Sequence, residues 1–312
     1  MADKFAAIAN LLSCPDDGAS LRLISGGFRC THCDRCFPIH KDNLAEILPS
    51  RPLELPAAVN SGYGEAYRQA FEQRFHLSEA SSAWGAEETV ATSWARKRHR
   101  QVAMVKPLAT EGISVDETVL CDISAGAGYY TFEYANAFRF ALHCDLSVDN
   151  LNYAWRKARG RGIENIFFLR ADYFALPFRQ TLDRILCFDT LIRGEAHDSA
   201  LLGSIVRSLR PNGYAVVDFH NWWHNPLRRL GLLPENFHAN RSYVQSEVER
   251  LLRNSGIEHF SCWPFFQEFE RDARTADFLL RLFPATRLVY RVAAPQVLSR
   301  SASVSPLAGA ME

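Results

Sequence analysis

The sequence predicts an α/β fold built on a doubly wound, mostly parallel sheet, and three observations carry that prediction. From Glu117 onward, short apolar runs alternate with segments of helical period. Such alternation indicates a parallel sheet covered by helices on both faces. The small-residue loop CDISAGAGYYT, Cys121 to Thr131, follows the first apolar run, at the turn where open parallel sheets bind ligands.

Taken in order, residues 1–50 are turn-rich, with CPDDG, SGG and FPIHKDN interrupting brief apolar runs. So small a segment cannot build much core by itself. Residues 51–110 open on the linker RPLELPAAVNSGYG and continue into a helical lead-in rich in aromatic and charged residues. It ends in the basic run Arg96, Lys97, Arg98, His99, Arg100, read here as a solvated helix face. Residues 111–296 hold the alternating domain. Its strands are ETVLCDI, FALHCDL, NIFFLRA, DRILCFD and GYAVVDF, with RLVYRVA as a late strand. Helices are expected over VDNLNYAWRKAR, capped by Ser147, over SALLGSIVRSL, capped by Asp198 or Ser199, and from Ser242 to Gly256. The tail 297–312 reads as disordered.

Composition narrows the partners. Hydrophobic residues are 47% and charged residues 22%, and the formal net charge is +0, so no overall field draws the chain to nucleic acid or acidic lipid. The start MADKFAAIANLLSCPDD breaks any secretory apolar core with a charge pair, and no segment is long and apolar enough to span a bilayer. A cytoplasmic location is expected. Of the 8 cysteines, Cys14, Cys30, Cys33 and Cys36 crowd the start, where metal ligation is the expectation; Cys121, Cys144, Cys187 and Cys262 lie in apolar stretches and read as core thiols.

The glycine loop has acidic neighbours. Gly126 and Gly128 let the backbone turn tightly and a ligand approach closely. Asp145 ends the second strand, where a carboxylate can accept both hydroxyls of a ribose, and Asp172 follows the third, within reach of a base's amino group. A dinucleotide loop needs a third small residue where Thr131 stands, and Asp122 repels a pyrophosphate. The charges favour a cationic nucleoside cofactor.

These stretches resemble the motifs of the class I S-adenosylmethionine-dependent methyltransferases, over about residues 115 to 220. VLCDISAGAGYYT is similar to their VLDxGxGxGxxT, CDLSVDNL to DxSxxML, RADYFALPF to GDAExLPF, DRILCFDTLIRG to DxVxxxxxLxH, and LRPNGYAVVDF to LKPGGxLVxxD. The resemblance implies a Rossmann-like sheet of seven strands and a cofactor site at Asp122, Ser124, Gly126, Gly128, Asp145, Leu146, Asp172 and Tyr173. In it the loop wraps the methionine part, Asp145 holds the ribose, and Asp172 with Tyr173 borders the adenine. Ser124 stands where the family has its first loop glycine, and Arg193 where it often has a histidine; an arginine there can pair with an anionic substrate group.

At the start, CPDD followed by CTHCDRC has the look of two metal knuckles, with Cys14, Asp17, Cys30 and Cys33 the best four ligands by spacing and Cys36 competing with Asp17. LLSCPDDGASLRL and FRCTHCDRCFPIHKDNLAEILP resemble the zinc-ribbon family typified by the small activator subunit of tRNA and protein methyltransferases, which implies a structural zinc. In methyl transfer the protein mainly aligns a nucleophile, and the candidate bases are His220 and His197, with Arg193 at the substrate mouth. The acceptor expected first is a small molecule or lipid-like biosynthetic intermediate, because HNWWHNPLRRLGLLPENF and the HFSCWPFFQEF region supply aromatics for an apolar pocket. Two other readings stand beside it: an rRNA or tRNA base methyltransferase with a zinc module for RNA binding, and a non-catalytic methyltransferase-like scaffold.

Overall fold

The computed structural model describes residues 2–40, 44–56, 59, 61–75, 93–222, 241–265 and 287–294. The aromatic stretches after Trp222 and after Phe265 and the tail lie outside the described residues, as do the side chains of the basic run Arg96 to Arg100.

Among the described residues all strands, eleven of them, join one sheet. Its first four are β1 (Leu21–Ile24), β2 (Gly27–Cys30), β3 (Cys36–His40) and β4 (Leu44–Ile47). The others are β5 (Val119–Ile123), β6 (Phe140–Asp145), β7 (Ile166–Ala171), β8 (Leu182–Cys187), β9 (Leu209–His220), β10 (Phe260–Phe265) and β11 (Arg287–Ala293). Their spatial order is β1, β2, β3, β4, β7, β6, β5, β8, β9, β11, β10, eleven strands in all. Strands β5 to β9 run parallel, and β11 is antiparallel to both β9 and β10.

The seven strands expected of the domain are therefore present, and the first four add to them. That is a correction to the expected sheet of seven with a separate small module. β4 pairs parallel with β7, Glu46 opposite Arg170, so the N-terminal segment continues the sheet past its β7 edge. An uncovered β7 would offer a row of unpaired backbone groups; β4 takes them up. The two regions also share apolar core. Phe5 packs edge-on against Phe28 and Phe167, with centroids 5.9 and 5.7 Å apart. Burying each such ring stabilises by roughly 2 kcal/mol. The Ser13 amide donates to the Pro177 carbonyl at 2.8 Å, beside a Leu12–Phe178 bridge.

Seven helices accompany the sheet among the described residues: α1 (Ala2–Ala6), α2 (Ser61–Glu72), α3 (Ser93–Thr110), α4 (Tyr129–Tyr134), α5 (Val148–Gly160), α6 (Glu195–Ser208) and α7 (Gln245–Asn254). Ser147 caps α5 as expected, its hydroxyl accepting from the Asn150 amide. α6 begins earlier than its apolar periodicity predicts. Gly194 occupies the cap with φ +116, and Asp198 instead lies inside the first turn, its carboxylate accepting the amides of Arg193 and Gly194. α7 also starts later than Ser242, because the Glu247 carboxylate reaches back to the Val244 amide and fixes the boundary there. Among the described residues no helix is long and apolar enough to cross a membrane.

Candidate active site

At the C-terminal tips of β5, β6 and β8 lies a cleft of about 250 Å³, bordered by Asp122, Ser124, Ala125, Gly126, Tyr129, Tyr130, Asp145, Asn150, Phe188, Asp189 and Thr190. Three of these are aspartates, and none is a lysine or arginine. Such a lining suits ribose hydroxyls and a positively charged group and opposes a pyrophosphate.

The loop over the cleft is held by its acids. Asp122, at the end of β5, accepts the Thr131 amide at 3.1 Å and the Thr131 hydroxyl at 2.6 Å. Because that hydroxyl donates to Asp122, it accepts from His143 Nδ1, 3.0 Å away, which assigns the proton to Nδ1. Burial pushes the His143 pKa down to about 3, so the ring is neutral. Asp145 accepts the Gly126 amide on one oxygen at 2.8 Å, and the Ser147 amide at 2.8 Å and the Asn150 side chain at 3.2 Å on the other. Burial pushes its carboxyl up, and those amide donors oppose the shift. Oδ2, with one donor, retains a lone pair for a further one, whereas Oδ1 already accepts two.

Local conformation explains the two glycines. Gly126 has φ +53 and a Cβ there would meet nothing within 4 Å, so its backbone borders open space in the cleft. At Gly128, φ is +78 and a Cβ would lie 2.5 Å from the Phe132 ring. Ser124 takes the same left-handed region, φ +54, and so does Asp189 on the opposite rim, φ +58. Two non-glycine residues in that region, both bordering the cleft, mark backbone strain at the site.

Of the residues named from sequence, Asp122, Ser124, Gly126 and Asp145 border the cleft, while Gly128, Leu146, Asp172 and Tyr173 are not part of its lining. Asp172 is 1% exposed and already engaged: one oxygen accepts the Tyr67 hydroxyl at 2.6 Å, the other the Phe174 amide at 2.9 Å. Burial pushes its carboxyl up, against those two donors. The Leu146 carbonyl accepts from Arg170 Nε at 3.2 Å. Tyr173 turns its hydroxyl to His197 Nε2, 3.1 Å away.

His197 belongs to a buried group that sequence reasoning saw only in part. Its Nδ1 meets Asp198 Oδ1 at 2.7 Å, its Nε2 is also 3.1 Å from the Tyr63 hydroxyl, and the Tyr243 hydroxyl donates to the other Asp198 oxygen. A tyrosine on a charged lead-in helix gives no local sign of such a partner. The Arg193 guanidinium lies over the Tyr63 ring, 4.4 Å from its centre, and burial pushes its pKa down. His220 stands at the end of β9, with Nε2 3.7 Å from Asp189 Oδ1. There Arg287 binds both Asp189 and Asp218, the latter at 2.7 Å, tying β11 to the tips of β8 and β9.

In the N-terminal segment, donor atoms of Cys14, Asp17, Cys30 and Cys33 all lie within 4.8 Å of one another. The Cys14 and Cys33 sulfurs are 3.8 Å apart. Tetrahedral zinc with Zn–S near 2.3 Å sets its sulfurs about 3.8 Å apart, so the spacing fits that ion. The amides of His32 and Cys33 point at the Cys30 sulfur, at 3.3 and 3.4 Å, as donors that stabilise a thiolate. The Ala19 amide holds the Asp17 carboxyl down to about 2, whereas burial pushes the Cys14 thiol up to about 12, so a cation there has to displace a proton. Cys36 is exposed and turned toward the Asp34 carbonyl.

Residues 114–268 match the family model described as "Methyltransferase domain". No curated protein matches the chain. Among solved structures, a "possible exported protein" from Bordetella parapertussis is 13% identical, with a TM-score of 0.50, over 74% of this chain and 79% of that one. That likeness shows the fold alone. Phosphoethanolamine N-methyltransferase 2 from Haemonchus contortus, in complex with S-adenosyl-L-methionine, is 14% identical over 63% of this chain, with a TM-score of 0.47. The chain spans about half of that protein, 53% of its length. Magnesium protoporphyrin IX methyltransferase from Synechocystis is 14% identical over 76% of this chain and 96% of that one, with a TM-score of 0.47.

Proposed function

We propose that the chain, an S-adenosylmethionine-dependent methyltransferase, methylates a small-molecule acceptor that approaches from the side of Tyr63, Tyr173 and the start of α6. The observation that carries the cofactor reading is the cleft over β5, β6 and β8, with three aspartates and no lysine or arginine among the described residues that line it. When bound, S-adenosylmethionine supplies a methyl group on a positively charged sulfur, already activated for displacement. The chain's own task is alignment and proton handling. Asp145 offers a ribose hydroxyl the unused lone pair of Oδ2, the loop from Asp122 to Gly128 lies along the methionine part, and Asp172 stands at the adenine end.

For a hydroxyl or amide-like acceptor a base is needed, and two histidines qualify. His220 shares the rim with Asp189, whose carboxylate stabilises a proton taken up on Nε2. His197 is oriented by Asp198 through Nδ1, leaving Nε2 as acceptor for a proton delivered through the Tyr63 or Tyr173 hydroxyl. Arg193 then supplies positive charge near Tyr63 for an anionic group of the acceptor.

Incubation of the protein with labelled S-adenosylmethionine and a fractionated cell extract is expected to label small molecules, and Asp145→Ala to abolish both labelling and calorimetric uptake of S-adenosylhomocysteine. Label in RNA, or none beside intact uptake, would sink the acceptor reading. His220→Ala and His197→Asn in the same assay identify the base: the one that keeps wild-type turnover is removed from the mechanism. We further assign a structural zinc to Cys14, Asp17, Cys30 and Cys33, supported by the sulfur spacing. Elemental analysis is expected to find about one zinc per chain; protein without zinc whose melting ignores chelators removes that assignment.

A further inference from the structure

We propose that α2 is a positioning element of the cofactor site, in which Tyr67 aims Asp172 and the Glu46–Arg170 pair anchors the helix to the N-terminal strands. The inference rests on the reading of Asp172 at the adenine end given above. It gives part of residues 51–110, read from sequence as a linker and helical lead-in, a role in the site.

Tyr63 and Tyr67 are four positions apart and so share one face of α2. Each meets one polar group of the site: Tyr63 the His197 ring, Tyr67 the Asp172 carboxylate. The Tyr67 hydroxyl is itself held, since it accepts the Leu53 amide at 2.9 Å while donating to Asp172. Its ring packs edge-on against Phe174, 5.6 Å away, so both ends of the contact are fixed.

The other end of α2 is gripped by a buried cation. Arg170, 2% exposed, donates to the carbonyls of Ala70 and Phe71, at 2.8 and 3.3 Å, in the last turn of the helix. Carbonyls there lack intrahelical partners and lie at the negative end of the helix dipole. The same guanidinium donates to the Leu146 carbonyl, next to the ribose carboxylate, and to Glu46 on β4 at 3.1 Å. One side chain thus joins the helix, the turn after β6 and the N-terminal strands. Burial pushes Glu46 up, but His40 and Arg170 together carry it below the usual carboxylate range, so it stays ionised.

A buried carboxyl accepts from an amino group more strongly while ionised. The titratable groups facing Asp172 among the described residues are Tyr67 and Tyr63, both from α2, and the donor from its own turn is the Phe174 amide. Removing the Tyr67 hydroxyl takes away one of two donors that favour the ionised form. Asp172 then protonates at higher pH.

The test is calorimetry with S-adenosylhomocysteine on the full chain, as wild type, Tyr67→Phe and Glu46→Gln, across a pH series, with hydrogen exchange on α2. Tyr67→Phe is expected to weaken binding roughly tenfold, the loss of one hydrogen bond to a charged group, and to shift upward the pH below which affinity falls. Glu46→Gln is expected to weaken binding in the same direction and to speed exchange in α2, although it lies outside the cleft. Wild-type affinity and pH profile in Tyr67→Phe would overturn the proposal while leaving the cofactor reading intact. Unchanged affinity and exchange in Glu46→Gln would overturn the part given to the N-terminal strands. No uptake even by the wild-type chain would overturn the cofactor reading and this inference with it.

Discussion

His143 sits wholly inside the sheet on β6, and its neutral ring is the last member of the chain that runs through Thr131 to Asp122. Its folded pKa of about 3 lies below the unfolded value of about 6.5. Between the two, the unfolded chain carries the extra proton, so stability rises with pH through that window and is lost as pH falls from the upper value toward the lower. In thermal melts over that range, His143→Phe is expected to lower the melting temperature at neutral pH, by loss of the Thr131 contact, yet to flatten its fall on acidification. An acid limb as steep as the wild type's would show that other groups set it. Ser124 makes the complementary point. The backbone there takes a left-handed turn that glycine adopts without strain, at a cost of about 1 kcal/mol for a residue with a Cβ, so the loop holds its shape against the preference of its residue.

Among the elements, the parallel strands and their helices were legible because their signal is local. β5 to β8 and β11 fall on the apolar runs, and Ser147 caps α5 where the pattern predicts. Asp145 was legible for the same reason, as the acid that closes a strand. What escaped was pairing between distant segments. The period of β4 does not say which strand it joins, and its partner lies 124 positions on at the Glu46–Arg170 pair. Likewise Tyr63 fell within the expected linker and Tyr67 in the lead-in beyond it; only the fold sets both on one helix, begun at Ser61, and brings Asp172 and His197 to them. The start of α6 was misread because apolar periodicity marks a buried face, whereas Asp198, a polar residue, is buried through its bonds to Tyr243 and to the Arg193 and Gly194 amides.

For the whole molecule, side chains from Phe5 to Leu48 are part of the main core. A chain beginning at residue 51 leaves β7 as an open edge and strips partners from Phe167 and Phe178, which pack in one apolar cluster with Phe5, Ile8 and Leu12. At roughly 2 kcal/mol for each large side chain returned to water, the loss is of the order of a typical domain's total stability. The truncated chain is expected to aggregate or to melt well below the full chain in calorimetric scans; a soluble product with unchanged melting would show that the segment folds apart. The parallel pairing of β4 with β7 also has a temporal side. Synthesis delivers these four strands long before the segment at 166–171 that receives them, so β4 leaves the ribosome ahead of its docking edge, its greasy face in need of shelter meanwhile.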